Sequence, residues 1–171
     1  MVTISPHVDE EAMCGEMVTI HRGIPCEVIE REAAAFFENK IVPIIFPEML
    51  KLTLRLRDAG CELWAISSTN DWVVRQGVKR FGIAPERVLA ACVHTENGCA
   101  TDRLIRVPTD ERKAEAVREF LPRTPDAVFG NSMHDFHMME LATRAFAINP
   151  NPDLEQVARK RQWVVYQPET P

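Results

Sequence analysis

Three stretches of this chain carry residue types that handle phosphate and metal together: Ser67-Ser68-Thr69, Lys113, and Gly130-Asn131-Ser132-Met133-His134-Asp135. Hydroxyls and helix-start amides over residues 67–70 can hold phosphate oxygens, because free N–H groups and the positive end of a helix dipole both favour an anion. Lys113 brings a positive charge. It falls in the first turn of a predicted helix, where the dipole slightly disfavours it, and a solvated surface lysine is the plain alternative. Asp135, with Asn131 four residues earlier, offers oxygen ligands suited to Mg2+, a hard cation that keeps several waters. Asp135 can also serve as a helix N-cap, and a capping carboxylate can still face a metal.

The elements that must position these residues are legible in the hydropathy pattern. Leu63-Trp64-Ala65-Ile66 is a continuous apolar run expected as a strand buried on both faces. Ser67-Ser68-Thr69-Asn70 follows it and caps a helix reaching about Phe81. Ala127-Val128-Phe129 is a second apolar run. It leads through the Gly130 turn into a helical pattern from about Asp135, with Met138, Met139, Leu141 and Ala142 on its apolar side. Pro47 opens a helix that runs to Ala59 and ends at Gly60. Val88 to Cys92 reads as a strand, with an Asn97-Gly98 hairpin and a return arm near Leu104-Ile105. Thr109 or Asp110 caps a helix to about Leu121. Phe146-Ala147-Ile148 is a further strand, 153–161 a helix, and Trp163 to Tyr166 a last strand. Upstream, residues 8–45 are mostly helical in pattern. Pro25 opens a helix whose Val28, Ile29, Ala33, Phe36 and Phe37 recur at helical spacing, ending near Asn39. Strands alternating with helices imply an α/β, Rossmann-like parallel sheet covered on both faces. Ligands bind such sheets at the carboxyl ends of the strands, where both polar clusters fall.

Bulk composition narrows the function classes. With 171 residues, 46% hydrophobic and 26% charged, the chain is an ordinary globular one with room for one domain and a small addition. A net charge of −5 and the lack of a long basic run argue against a nucleic-acid partner. Arg159-Lys160-Arg161 reads as the charged end of a helix. No apolar stretch approaches the roughly 20 residues of a membrane span, so no membrane partner is expected. Five cysteines with no Cys-x-x-Cys spacing fit reduced thiols in a cytoplasmic protein. With Asn97-Gly98 as a two-residue turn, Cys99 faces Glu96 and Cys92 faces Arg103, so no disulfide is expected. Cys61 and Cys92 read as small buried apolar residues, and Trp64, Trp72 and Trp163 as packing. His134 and His137 lie three apart around Asp135, but no third transition-metal ligand stands at supporting spacing.

The order of these parts resembles the haloacid dehalogenase superfamily of phosphatases, and most closely its phosphoserine phosphatase-like branch. Residues 130–142, Gly-Asn-Ser-Met-His-Asp-Phe-His-Met-Met-Glu-Leu-Ala, are similar to that branch's fourth motif. The tail from Ala145 to Tyr166, with Asn149-Pro150-Asn151-Pro152 and Gln162-Trp163, is similar to its C-terminal strands. Phe46-Pro47-Glu48-Met49 resembles the re-entry from a helical cap into the core. The resemblance therefore implies a partial cap over 1–45 and a core over 46–171. It implies that Ser67 binds the transferring phosphoryl group and that Lys113 neutralises a phosphoaspartate and its neighbours. Asp135 would hold Mg2+ directly or through water. Asn131 stands where most relatives have an acid, so its amide oxygen would bring no charge to the metal. Ser68 and Thr69 would assist at the phosphate. The implied activity is Mg-dependent hydrolysis of a small phosphorylated metabolite, with phosphoserine named by analogy only; a homodimer is compatible.

The family's first motif, Asp-x-Asp at the tip of the central strand, occurs nowhere in the chain. Its first Asp attacks phosphorus and its second is the general acid-base. Val2-Thr3-Ile4 is strand-like, but Ser5-Pro6-His7 follows it where acids belong, and Asp9 begins a helical pattern. The expectation is that a segment holding the central strand, the nucleophile and the first part of the cap is lacking. The runs at 63–66 and 127–129 would flank that strand and would carry unpaired backbone groups. Either a compensating strand or low stability should follow. The alternative functions are a non-catalytic remnant that binds a phosphorylated ligand or a protein, and an inactive fragment.

Overall fold

Proline and the apolar periodicity set the helices at the start of the chain. The computed structural model describes residues 10–170; the expectations placed on Val2-Thr3-Ile4, on Ser5-Pro6-His7 and on Asp9 lie outside the described residues. Helix α1 spans Glu10–Thr19 and α2 Cys26–Phe36. Pro25 takes the N-cap position of α2, and the chain continues past Phe36 through a wider π turn, Phe37–Ile41. Val18 of α1, Ile29 and Ala33 of α2, and Trp72 pack into one core with Ala91, Val93 and Val107. Pro47 sits at the start of α3, Pro47–Asp58.

The strands form two separate sheets. β1 (Ala65–Asn70), β2 (Val88–Glu96) and β3 (Cys99–Arg106) make the first, in the order β1-β2-β3. β1 and β2 are parallel, and β2 and β3 form an antiparallel hairpin. The hairpin turn is Asn97-Gly98 as expected, with φ of 50° and 77°, the left-handed conformation a tight two-residue turn needs. β4 (Ala127–Gly130), β5 (Arg144–Ile148) and β6 (Val164–Tyr166) make the second sheet, parallel throughout. Helix α4 (Asp71–Phe81) follows β1, α5 (Glu111–Phe120) follows β3, the short α6 (Phe136–Met139) follows β4, and α7 (Pro152–Lys160) joins β5 to β6. Val117, Val128, Met139, Ala145, Ala147 and Leu154 form the core of the second sheet. Ile66 of β1 packs against that second core, so the sheets lie side by side.

The α/β architecture is as expected, and several local boundaries are not. The first strand starts at Ala65 rather than Leu63, because its partner begins only at Val88, after the turn Pro85–Arg87. Trp64 lies outside the strand and donates its Nε1–H to Glu62 Oε1 at 2.7 Å. Cys92 pairs with Arg106, not Arg103, because two register shifts intervene along the hairpin; Cys99 does face Glu96. Cys61 is exposed rather than buried, since it lies in the turn after α3, while Cys92 is buried; all five thiols are free. The helix after Gly130 is short. Thr143 N–H donates to Pro125 O and Arg144 N–H to Asp126 O, which pulls the chain out of the helix and into β5. Among the described residues no strand joins β1 to β4: each is the outer strand of its own sheet.

Candidate functional site

The hydroxyl cluster is shaped by a bulge. Ser67 pairs with Ala90 and Asn70 with Ala91, so Ser68 and Thr69 are extra residues with no partner on β2. Ser67 Oγ accepts a hydrogen bond from Thr69 N–H at 3.2 Å, and Asn70 Oδ1 accepts from Val73 N–H at 3.0 Å. Asn70 alone therefore caps α4, and the hydroxyl side chains of Ser67, Ser68 and Thr69 gather at the end of β1.

The second cluster depends on Gly130. A Cβ at that position would meet Asp135 Cβ at 2.7 Å and Met139 Sδ at 2.8 Å, so only glycine lets the turn close. Ser132 and Asp135 then form a capping box at the start of the turn Met133–Asp135. Asp135 is the third residue of that turn and occupies the N-cap position of α6 without a side-chain capping bond to it; its Oδ2 accepts instead from the N–H groups of Asn131 (2.9 Å) and Ser132 (3.2 Å). Its Oδ1 accepts from Lys113 Nζ at 2.6 Å. Lys113 is 7% exposed and Asp135 6% exposed. The surface-lysine reading of Lys113 therefore fails, and the two residues form a buried ion pair between α5 and the turn after β4.

Three groups around this pair escaped the sequence reading. Asp110 occupies the N-cap position of α5 but makes no capping bond; its φ is 45° and its carboxylate meets His134 Nδ1 at 2.7 Å. Glu10 of α1 reaches the same nitrogen at 2.7 Å, so two carboxylates share one imidazole N–H. His137 instead points to Glu111 at 3.8 Å. Cys14 of α1 meets Ser68. Burial pushes its thiol above the ordinary range, against a hydrogen bond with Ser68 and the nearby charge of Lys113. Nothing in the local sequence flags Glu10 or Cys14, which arrive by helix packing. Asp110 stands only three residues before Lys113 and was legible as a neighbour.

The donor set at Asp135 can be tested against magnesium. Asp135 is the one carboxylate at this turn, and both its oxygens already accept hydrogen bonds. Asn131 is exposed and adds an uncharged amide. Mg2+ normally takes one or two carboxylates together with substrate phosphate and water. As placed, Asp135 and Asn131 do not by themselves fit the ion, because Lys113 holds the oxygen it would need.

The arrangement gathers hydroxyls at the end of β1 and a buried ammonium on α5. A family model described as haloacid dehalogenase-like hydrolase matches residues 5–140. The chain is 26% identical over 140 residues to a histidinol-phosphatase of Neisseria meningitidis serogroup C, covering 76% of this chain and 62% of that protein. It is 28% identical over 135 residues to a phosphoserine phosphatase of Mycobacterium tuberculosis, covering 75% of this chain and 43% of that protein. The chain thus spans only 43% to 62% of the length of the curated relatives it matches. Among solved structures, a protein of unknown function from Bordetella pertussis Tohama I has a TM-score of 0.85 at 20% identity, covering 94% of this chain and 75% of that one. A phosphoserine phosphohydrolase-like protein from Francisella tularensis has a TM-score of 0.62 at 16% identity, covering 79% of this chain and 65% of that one. These two likenesses are of fold.

Proposed function

The chain belongs to the haloacid dehalogenase-like hydrolase family, and on that membership we propose that it is the phosphate-holding part of a phosphoric monoester hydrolase acting on a small phosphorylated metabolite. The observation that carries this reading is the burial of Lys113 against Asp135. A lysine is taken out of water at that cost only where it meets further negative charge or holds a fixed pair. Ser67, with Ser68 and Thr69, would accept the phosphoryl oxygens as a hydrogen-bonding cradle, and Lys113 would offset their charge. Catalysis of this kind is positioning plus charge stabilisation. The attacking carboxylate of an Asp-x-Asp motif is not in this sequence. Asp135 and Asn131 do not by themselves fit Mg2+, since Lys113 already holds Asp135 Oδ1, so the phosphoryl charge is left to Lys113 and the hydroxyls.

The names of the histidinol-phosphatase and phosphoserine phosphatase relatives support a phosphate monoester and leave the alcohol open. We read residues 1–45 as a partial cap and 46–171 as the core. A cytoplasmic location and a homodimer complete the proposal. Among the described residues no helix is long and apolar enough to cross a membrane. The second reading, a phospho-ligand binder without turnover, is favoured by the same missing motif.

Thermal unfolding with inorganic phosphate, alongside a p-nitrophenyl phosphate assay with and without Mg2+, tests both readings. The 171-residue chain should be stabilised by phosphate, lose that effect in Ser67→Ala, show no shift with Mg2+ alone, and give no turnover. Turnover by this chain would refute the missing nucleophile. No stabilisation by phosphate would refute the phosphate site.

A further inference from the structure

The sequence offers His134 and His137 no third transition-metal partner, and the fold brings His134 two. Glu10 Oε2 and Asp110 Oδ1 each lie 2.7 Å from His134 Nδ1. The three ligand atoms all fall within 4.8 Å of one another. His137 takes no part, since it points to Glu111. Each side chain comes from a different element: Glu10 from the first turn of α1, Asp110 from the start of α5, and His134 from the turn after β4.

Hydrogen bonding alone serves this cluster poorly. Imidazole Nδ1 carries at most one proton, so two carboxylates compete for one donor. Cations on the adjoining turn of α5 are already used: Lys113 is paired with Asp135 and Arg112 with Glu11. Asp110 also forgoes its ordinary task. It stands at the N-cap of α5, where an aspartate normally accepts a helix N–H, yet it makes no capping bond and its φ is 45°. Its carboxylate goes to His134 instead. The cluster stays reachable from solvent, with the His134 side chain 41% exposed and that of Asp110 49% exposed.

We propose that Glu10, Asp110 and His134 bind one Zn2+ or a similar first-row transition ion, which fastens α1 to the start of α5 and to the turn after β4. The donors name the ion class. One imidazole nitrogen with two carboxylate oxygens suits zinc, whereas Mg2+ and Ca2+ take oxygen ligands. Zn–N and Zn–O bonds of about 2.0–2.2 Å set neighbouring donors about 3.0–3.5 Å apart. The two N···O separations therefore need to open by roughly half an ångström, which partly exposed side chains reach by small rotations. His134 ligates as the neutral imidazole through Nδ1, with its proton on Nε2, and the ion replaces the shared proton as the partner of both carboxylates. Three protein ligands leave a further position to water. Asp135 is not in this set: its oxygens are held by Lys113, Asn131 and Ser132, so the site is independent of the reading under Proposed function.

The 171-residue chain, stripped with a chelator, tests this by calorimetric titration with Zn2+ and visible absorption with Co2+. One ion per chain should bind. Zn2+ at a hundredfold excess over Kd should raise the unfolding midpoint by roughly 5–10 °C, and Mg2+ should not. Glu10→Gln, Asp110→Asn and His134→Ala should each weaken Zn2+ binding at least about tenfold, as loss of one ligand from three. His137→Ala and Cys61→Ala should leave it unchanged, and the Co2+ spectrum should lack a thiolate charge-transfer band. Circular dichroism in chelator checks that each variant folds; one that does not is set aside, and the other two decide. No Zn2+ binding to the parent chain overturns the proposal. So does undiminished binding in any folded variant of the three. Loss of binding in His137→Ala or Cys61→Ala, or a thiolate band, overturns it in favour of an adventitious ion elsewhere. Mg2+ binding as tight as Zn2+ binding removes the nitrogen ligand and overturns it as well.

Discussion

Replacing Lys113 by Met asks whether the buried pair is what it looks like. The ammonium and the Asp135 carboxylate are 2.6 Å apart, and their side chains are 8% and 9% exposed. At an effective dielectric of about 20 their attraction is about 6 kcal/mol, most of it cancelled by the cost of taking both groups out of water. Lys113→Met keeps the volume and removes the charge, which strands Asp135. Breaking a buried pair from one side costs about 3–5 kcal/mol. Asp135 Oδ2 keeps its two backbone donors, from Asn131 and Ser132, so the lower end, about 3 kcal/mol, is expected. Asp135→Asn added to Lys113→Met removes the stranded charge and should recover about half of that loss. The double-mutant cycle should then show a coupling of at least ~1.5 kcal/mol. Urea unfolding followed by tryptophan fluorescence measures all four states, provided the slope with denaturant is unchanged. A loss under about 0.5 kcal/mol for Lys113→Met, the size of an ordinary surface change, would refute the burial argument. Additive effects of the two substitutions would refute the pairing.

Two further outcomes follow from local geometry. Gly130→Ala should destabilise the protein by about 1–3 kcal/mol, because its methyl group would lie 2.7 Å from Asp135 Cβ; unfolding at the wild-type urea midpoint would contradict this close approach. Burial raises the Cys92 thiol, against the opposing charge of Arg106, and burial raises Cys14 as well. In mass-spectrometric alkylation at pH 8 the exposed Cys61 should therefore label first and these two last. A raised thiol favours the protonated folded state, so its contribution is complete below the ordinary value of 9.0 and is lost as pH rises through the folded value. Urea midpoints should fall on the alkaline side of 9 and not on the acid side; the reverse order of labelling, or no alkaline fall, would count against buried thiols.

Much of the fold was legible in the chain itself, because its signals are local. Pro47 and Asn70 mark the starts of α3 and α4, the Asn97-Gly98 pair forces the hairpin, and the Val88–Cys92 run is buried because nothing polar interrupts it. The candidate residues Ser67, Lys113, Asn131 and Asp135 were also found by type and order, as was the absence of Asp-x-Asp. Their environment was not. That Lys113 is buried rather than solvated depends on how α5 packs on the turn after β4, which no local pattern encodes. Asp110 and Glu10 meet at His134 only because three separate elements converge there. Register beyond the hairpin turn is likewise a long-range property: two slips carry Cys92 to Arg106, and the bulge that frees Ser68 and Thr69 is set by pairing with β2. Sequence alone thus determined which residue types stand at the ends of β1 and β4 and that no Asp-x-Asp occurs in it, since side-chain type and spacing are written in the chain. Tertiary structure decided that, among the described residues, β1 and β4 are each the outer strand of their own sheet and line one cleft, because an unpaired edge is defined by its neighbour rather than by its own residues.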